Sequence, residues 1–325
     1  VKDPDSSYPF LISIVIPVKN GAPWLHDCMK GIMKQNLFHK CEIIVLDSGS
    51  TDGTIELLKQ YPVRIVPINP EDFNHGETRN AGAREAKGKY VVMTVQDAVA
   101  ADEYWLQELV NGFDDQQVAG VCGQQVVPHH SDKNPADWFR PQSKGLKKKY
   151  YFPNTKDFDN LSPAEKKNIC GWDDVTACYR KDILMKLPFR KVSFAEDAAW
   201  AYDALRSGYS IVYNPAAKVY HYHQEDYDYS FRRTLTVLYF RYKFFGYIPE
   251  TFQQPVKRKL QLIKLLVKEK IPGSDKIKWW HYNRQLFKGQ QKAHEVFMKA
   301  LNEGGDALEK VHEQYCKTAP MAVKN

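Results

Sequence analysis

The chain has 325 residues, 43% hydrophobic and 26% charged, enough for one large α/β domain with an appendage or for two domains. That composition excludes disordered, collagen-like and disulfide-scaffold chains, and no run approaches the roughly 18 apolar residues of a spanning helix. The net charge of +7 is uneven: residues 1–229 carry 27 Lys and Arg against 31 Asp and Glu, whereas residues 230–325 carry 19 against 8.

In chain order, Ile12–Val18 is a nearly all-apolar run, the pattern of a strand buried on both faces, and a helix is expected from about Ala22 to Gln35. A second strand ends at Asp47, and the turn Ser48-Gly49-Ser50-Thr51-Asp52-Gly53 leads into a helix through Lys59. Further strands are expected at Val63–Val66, Tyr90–Val95 and from Val118, with helices at Glu77–Ala86 and Asp102–Asn111. Such alternation predicts a mainly parallel, doubly wound sheet with ligands at the carboxyl ends of its strands, where Asp47 and Asp97 stand. From Pro128 to Asn168 the pattern breaks into a polar, Lys-rich stretch expected to be a lid or binding loop. A strand-like Lys218–His223 follows, then a helical, basic tail.

The start, Val1-Lys2-Asp3-Pro4-Asp5, lacks the apolar stretch of an export signal, and the missing initiating Met leaves open a longer parent chain with further domains. The six cysteines (28, 41, 122, 170, 178 and 316) contain no CxxC pair, which suits reduced thiols in a cytoplasmic protein. The basic tail is expected to meet a membrane surface or a phosphate-bearing substrate, and no nucleic-acid motif is present. Aromatics alternating with Arg and Lys over Phe231–Phe245, and the basic apolar run Lys257–Leu266, fit a peripheral position on the inner face of the plasma membrane.

Five segments in order resemble the family-2 inverting glycosyltransferases with the GT-A nucleotide-diphosphosugar fold. They are Ile14-Val15-Ile16-Pro17-Val18-Lys19-Asn20; Glu42 to Thr54, close to the family's "VDDGSTDGT"; Thr78-Arg79-Asn80-Ala81-Gly82; Gln96-Asp97-Ala98; and Glu196-Asp197 with Trp200. Asp72 to Asn80, Gln96-Asp97-Ala98, Phe194 to Asp197 and Val219 to His223 look most like bacterial rhamnosyltransferases that build cell-surface polysaccharides such as O-antigen. The resemblance implies a glycosyltransferase domain over 1–245, with a donor half about 12–125 and an acceptor half about 126–245, followed by a helical extension over 246–325.

The implied reaction is transfer of L-rhamnose from dTDP-L-rhamnose to a hydroxyl of a growing, lipid-linked surface glycan. Alternatives are a UDP-sugar donor (galactofuranose, glucose or an amino sugar), an inactive nucleotide-sugar or glycan-binding module, and a basic membrane-tethering scaffold. Asp47 can accept the imide N–H of uracil or thymine, with helix capping as its structural alternative. Pro17, Asn20 and Ser48 would wall the nucleoside, and Arg79 can pair with phosphate or base through its fork of donors. Asp97 matches the second acid of the family's DxD pair, while Val95 stands where the first would be. Mg²⁺ or Mn²⁺ would then rest on Asp97 with His221, or with His223, which alternates with it on a strand. Trp172, Asp173 and Asp174 would frame the acceptor. Asp197 is the implied general base, and Glu196 would orient neighbours or contact the acceptor. The 144–149 lysines can close over the diphosphate.

Overall fold

A computed structural model of the chain describes residues 8–139, 145–250 and 255–316, the side chains of 255–258 excepted. The polar start at 1–5 and Lys144 lie outside the described residues. The chain divides into two compact units, residues 1–126 with 141–221 and residues 127–140 with 222–325.

The first unit carries the sheet. Its strands are β1 (Phe10–Val18), β2 (Cys41–Asp47), β3 (Val63–Pro67), β4 (Gly88–Thr94), β5 (Val99–Ala100), β6 (Val118–Val126), β7 (Lys148–Tyr150), β8 (Thr176–Arg180) and β9 (Ser210–Tyr220). Their order is β3-β2-β1-β4-β8-β6-β9-β5, with β7 also on β9. Strands β3, β2, β1 and β4 are parallel, as the alternation predicts. The expected mainly parallel sheet is instead mixed, because β8 runs antiparallel to both β4 and β6, and β5 and β7 run antiparallel to β9. Strand–helix alternation fades after Val126, and pairing direction there follows crossovers that apolar periodicity does not encode.

Strand β1 is central, so Ile12, Ile14 and Ile16 on one face and Val15 on the other are all fully buried. Helix α1 (Ala22–Met33) repeats apolar residues at helical spacing and sets Leu25, Cys28, Met29 and Ile32 into the core with the Ile12 face. Helix α3 (His75–Glu85) covers the other face, where a Cβ on Gly82 would lie 2.3 Å from Val15 Cγ1, so glycine is needed for that approach. Between these helices lies the short α2 (Thr54–Leu58). Helices α4 (Trp105–Val110), α5 (Thr155–Asp159), α6 (Pro163–Ile169), α7 (Lys181–Lys186) and α8 (Glu196–Arg206) complete the unit.

The expected lid does not form as one loop. Residues 127–140 belong to the second unit, and β7, α5 and α6 lie within the rest. Lys149 pairs with Asp114, at 2.9 Å, and with Asp115, and Lys147 lies 3.8 Å from Asp114. These lysines are thus partly neutralised by an acidic turn, which weakens the reading that they close over a diphosphate.

The second unit is helical: α9 (Tyr227–Phe245), α10 (Pro255–Lys268), α11 (Gly273–Glu303) and α12 (Gly305–Cys316). A Cβ on Gly289 of α11 would lie 2.6 Å from Tyr227 O of α9, so the two backbones meet closely. Segment 127–140 joins through Asn134 and Asn283, whose side-chain amides donate to each other's oxygens at 3.1 and 2.8 Å. The units therefore divide at 221/222, whereas the sequence placed the change at 245/246, because α9 buries its apolar face against α11 and α12. Among the described residues no helix is long and apolar enough to cross a membrane.

Candidate active site

The loops after β1 and β2 are laced together at the carboxyl ends of the parallel strands. Asp47 Oδ2 accepts from Gly49 N and Ser50 N, both at 3.1 Å, and Oδ1 accepts from Ser50 Oγ. That is the self-capping turn a short carboxylate forms with its own following backbone. Asn20, at φ +51°, donates its N–H to Ser50 Oγ at 2.8 Å and accepts from Thr51 N at 2.9 Å. Ser48 Oγ donates to Val18 O at 3.1 Å, and Asp52 Oδ1 accepts from Thr54 N at 3.2 Å. Asp47 thus closes the turn after β2 and does not cap helix α2 itself, whose N-cap position is Gly53. Pro17 sits beside Leu46 near the end of β1, half-buried.

After β4, Ala98 N donates to Val95 O at 3.2 Å, closing a turn that exposes Asp97 in part. Val95 packs against the core, so the position of the family's first acid is apolar and faces inward. Asp97 Oδ1 lies 3.5 Å from His221 Nε2. His221 and His223 fall just beyond the last residue of β9, Tyr220, and do not alternate on a strand as their spacing suggested. His221 N donates to Val126 O at 3.1 Å, and Nδ1 is 2.6 Å from Gln125 Oε1. Gln125 donates its amide to Asp173, which turns Oε1 toward the ring and makes Nδ1 the donor. His221 Nε2 then faces Asp97, an arrangement in which an imidazole nitrogen and a carboxylate oxygen can share one cation. With His223 two residues on, these side chains could hold a metal ion. One carboxylate with imidazole nitrogens accepts Mn²⁺ more readily than oxygen-seeking Mg²⁺.

A buried acidic cluster lies behind this line. Arg79 Nε is 3.2 Å from Asp174 Oδ2, and its Nη1 pairs with Glu196. All three residues are buried. Tyr179 donates its hydroxyl to Asp174 and accepts the Trp172 indole N–H at 2.7 Å. Burial pushes the Asp174 carboxyl up to about 7, although Arg79 pulls it down. Burial, then the Glu196, Asp174 and Asp173 charges, also push Asp197 well above the usual carboxylate range. Asp197 keeps partial exposure and accepts from Ala198 N at 2.7 Å.

Helix α3 grips the segment that carries this pair. Asn80 clamps Phe189 through both its backbone N and O, each at 2.9 Å, and Asn74 donates to Val192 O at 2.8 Å. A Cβ on Gly76 would lie 2.3 Å from Arg190 O. The segment enters α8 through Ala195 at φ +61°, a conformation that costs roughly 1–3 kcal/mol for a non-glycine residue and persists only where its surroundings enforce it.

Several placements differ from those expected. Arg79 faces two carboxylates, not an open phosphate site. Trp172 and Asp174 point into the interior, leaving Asp173 as the partly exposed member of that trio. The roles of Gln125, Tyr179, Asn74 and Asn80 were not anticipated. For the asparagines, the Asp72–Asn80 motif was visible, but their partners lie 109 and 118 residues away.

A family model described as "Glycosyl transferase family 2" matches residues 13–187, more than half of the chain. The O-antigen chain rhamnosyltransferases WbaN of Salmonella anatum and RfbN of Salmonella typhimurium are 30% and 31% identical over 220 and 221 residues. Each match covers 65% of this chain and 66% of the relative, so the chain spans just under two thirds of these relatives' length. Among solved structures, a mannosyltransferase from Pyrobaculum calidifontis in complex with GDP-Man and Mn²⁺ is similar at TM-score 0.52 and 19% identity, over 96% of this chain and 81% of that one. TarS residues 1–349 of S. aureus match at TM-score 0.52 and 14% identity, over 89% and 91%. At such identities the likeness establishes the fold alone.

Proposed function

Because the chain belongs to glycosyltransferase family 2, we propose that it is an inverting glycosyltransferase moving L-rhamnose from dTDP-L-rhamnose to a hydroxyl of a bacterial surface glycan. The observation that carries the reading is the hydrogen-bonded line from the Asp97–His221 pair through Gln125 to Asp173, beside the cluster that holds Asp197. This line supports a reading in which Asp97 and His221 meet a diphosphate and Asp197 removes a proton nearby. The rhamnosyl choice rests on the two Salmonella relatives and on the Asp72–Asn80 and Val219–His223 motifs.

In this reading the acceptor oxygen attacks the anomeric carbon opposite the leaving diphosphate. Its proton passes to Asp197, whose raised affinity for protons makes it a stronger base than an exposed carboxylate. Glu196, paired with Arg79, fixes the first turn of α8 and so aims its neighbour. Asp97, with His221 and His223, would hold Mn²⁺ or Mg²⁺, which supplies charge neutralisation to the leaving diphosphate. Asp47 and Asn20 shape the nucleoside end through the turn they stabilise. The acceptor is lipid-linked and met at a membrane surface on the cytoplasmic side.

A thermal-shift panel of nucleotide sugars with and without Mn²⁺ tests the donor, since a ligand that binds only the folded chain raises its midpoint by mass action. dTDP-rhamnose should give the largest shift, and Asp97→Ala should remove the Mn²⁺-dependent part. A larger shift with UDP-glucose or UDP-galactofuranose would reject the rhamnosyl assignment.

A further inference from the structure

A surface helix needs one apolar face, toward its own core; α10 has two. Leu266 is buried, with Leu262 and Leu265 partly covered beside it. On the other side Leu260, Ile263 and Val267 are 61%, 45% and 70% exposed. At 3.6 residues per turn these three fall within an arc of about 60°. Lys259 flanks one edge of that arc and Lys264 and Lys268 the other, all exposed. The helix contains no Asp or Glu. Lys276 Nζ donates to Val267 O at 3.3 Å, tying the first turn of α11 to the end of α10. The next residue, Ile277, is 63% exposed, and Lys278 follows it.

An apolar stripe edged on both sides by lysines, with no acid among them, matches the boundary of an anionic bilayer. Aliphatic side chains there enter the acyl region, while lysine stems lie along it and carry their ammonium groups to the headgroups. We infer that the outer face of α10, with Ile277, is a docking surface for a membrane rich in anionic lipid. This deepens the proposed meeting with a lipid-linked acceptor and rests on that reading for its purpose, but its physical basis is the stripe itself. A second copy of the chain is the rival occupant, but the lysine borders of two such stripes would repel one another.

The test is co-sedimentation of the full chain with vesicles of phosphatidylcholine alone or mixed with phosphatidylglycerol, at low and high salt. The wild-type chain should bind the mixed vesicles, with binding weakening as salt screens the lysines. Replacing Lys259, Lys264 and Lys268 by Gln should lower partitioning about fivefold per lysine, on the order of a hundredfold together. Leu260→Gln, Ile263→Gln and Val267→Gln together should lower it at least about tenfold and change the melting temperature little, since Leu260 and Val267 are mostly in water and Ile263 nearly half so. Equal binding to both vesicle types, no binding, or unaltered binding by the stripe variant would each overturn the inference. A concentration-dependent dimer that the stripe variant abolishes would assign the face to a second copy. Donor-induced thermal shifts should be the same in wild type and stripe variant; vesicle binding without any nucleotide-sugar shift would sink the transferase reading and leave the surface standing.

Discussion

The two carboxylate sites of the first unit solve opposite electrostatic problems. Asp47 is satisfied by the turn that follows it, through two backbone N–H groups and one hydroxyl within three residues. Asp174 and the consecutive Glu196 and Asp197 share one guanidinium, Arg79, which lies 95 to 118 residues away from them in sequence. Crowding and desolvation push the Asp174 and Asp197 carboxyls above the usual carboxylate range. The first site is a locally fixed turn; in the proposed reaction the second would supply the proton acceptor.

The sharpest test is Asp197→Asn. General-base removal typically costs about 10²–10⁴ in rate, so transfer should nearly stop while donor-induced thermal shifts persist. Turnover within about tenfold of wild type, in a folded protein, would move the base to another carboxylate.

Arg79→Met should destabilise the fold by roughly 3–5 kcal/mol, because it leaves buried carboxylates without their countercharge. Adding Glu196→Gln and Asp174→Asn should restore much of the loss in denaturant melts. A mild Arg79→Met variant would mean that the cluster is solvated and that the contrast with Asp47 is overstated.

The same cluster makes stability fall as pH rises. Asp174 ionises near 3.8 in an ordinary setting and at about 7 in the fold, so between those values the native state holds a proton that the unfolded state has released. Its stabilising contribution is complete below about pH 3.8 and is lost progressively up to about pH 7. Asp174→Asn should flatten that interval in pH-dependent melts. The acid limb of the wild-type rate profile should likewise lie above the ordinary carboxylate range, because Asp197 is pushed up.

Asp47→Ala should have the smallest effect, about 1–2 kcal/mol, since the amides it leaves are at a half-open turn that water can reach. A fall in donor affinity larger than the fall in stability would support contact between Asp47 and the nucleobase. Equal losses would leave it a turn former.

Local rules made one side of this comparison visible in advance. The apolar runs of β1 and β2, the helical spacing of Leu25, Cys28, Met29 and Ile32, and the small polar residues at 48–53 each act within a few residues, so their pattern is written in consecutive positions. The Thr78–Gly82 motif could be seen but not interpreted. Arg79 looks like a phosphate ligand until Asp174 and Glu196 are brought to it.

By itself, then, the sequence determined the strand–helix alternation through β4, the turn at 47–54, the Glu196–Asp197 pair and the family motifs, because hydrophobic periodicity and turn chemistry are short-ranged. Tertiary structure alone decided the antiparallel strand β8, the end of the sheet-bearing unit at 221, the donor role of His221 Nδ1 beside Gln125, and the crowding around Arg79. Each of these depends on residues from about 60 to over 100 positions apart meeting in a buried or half-buried setting. There desolvation and charge set the chemistry, and no local pattern records who the neighbours will be.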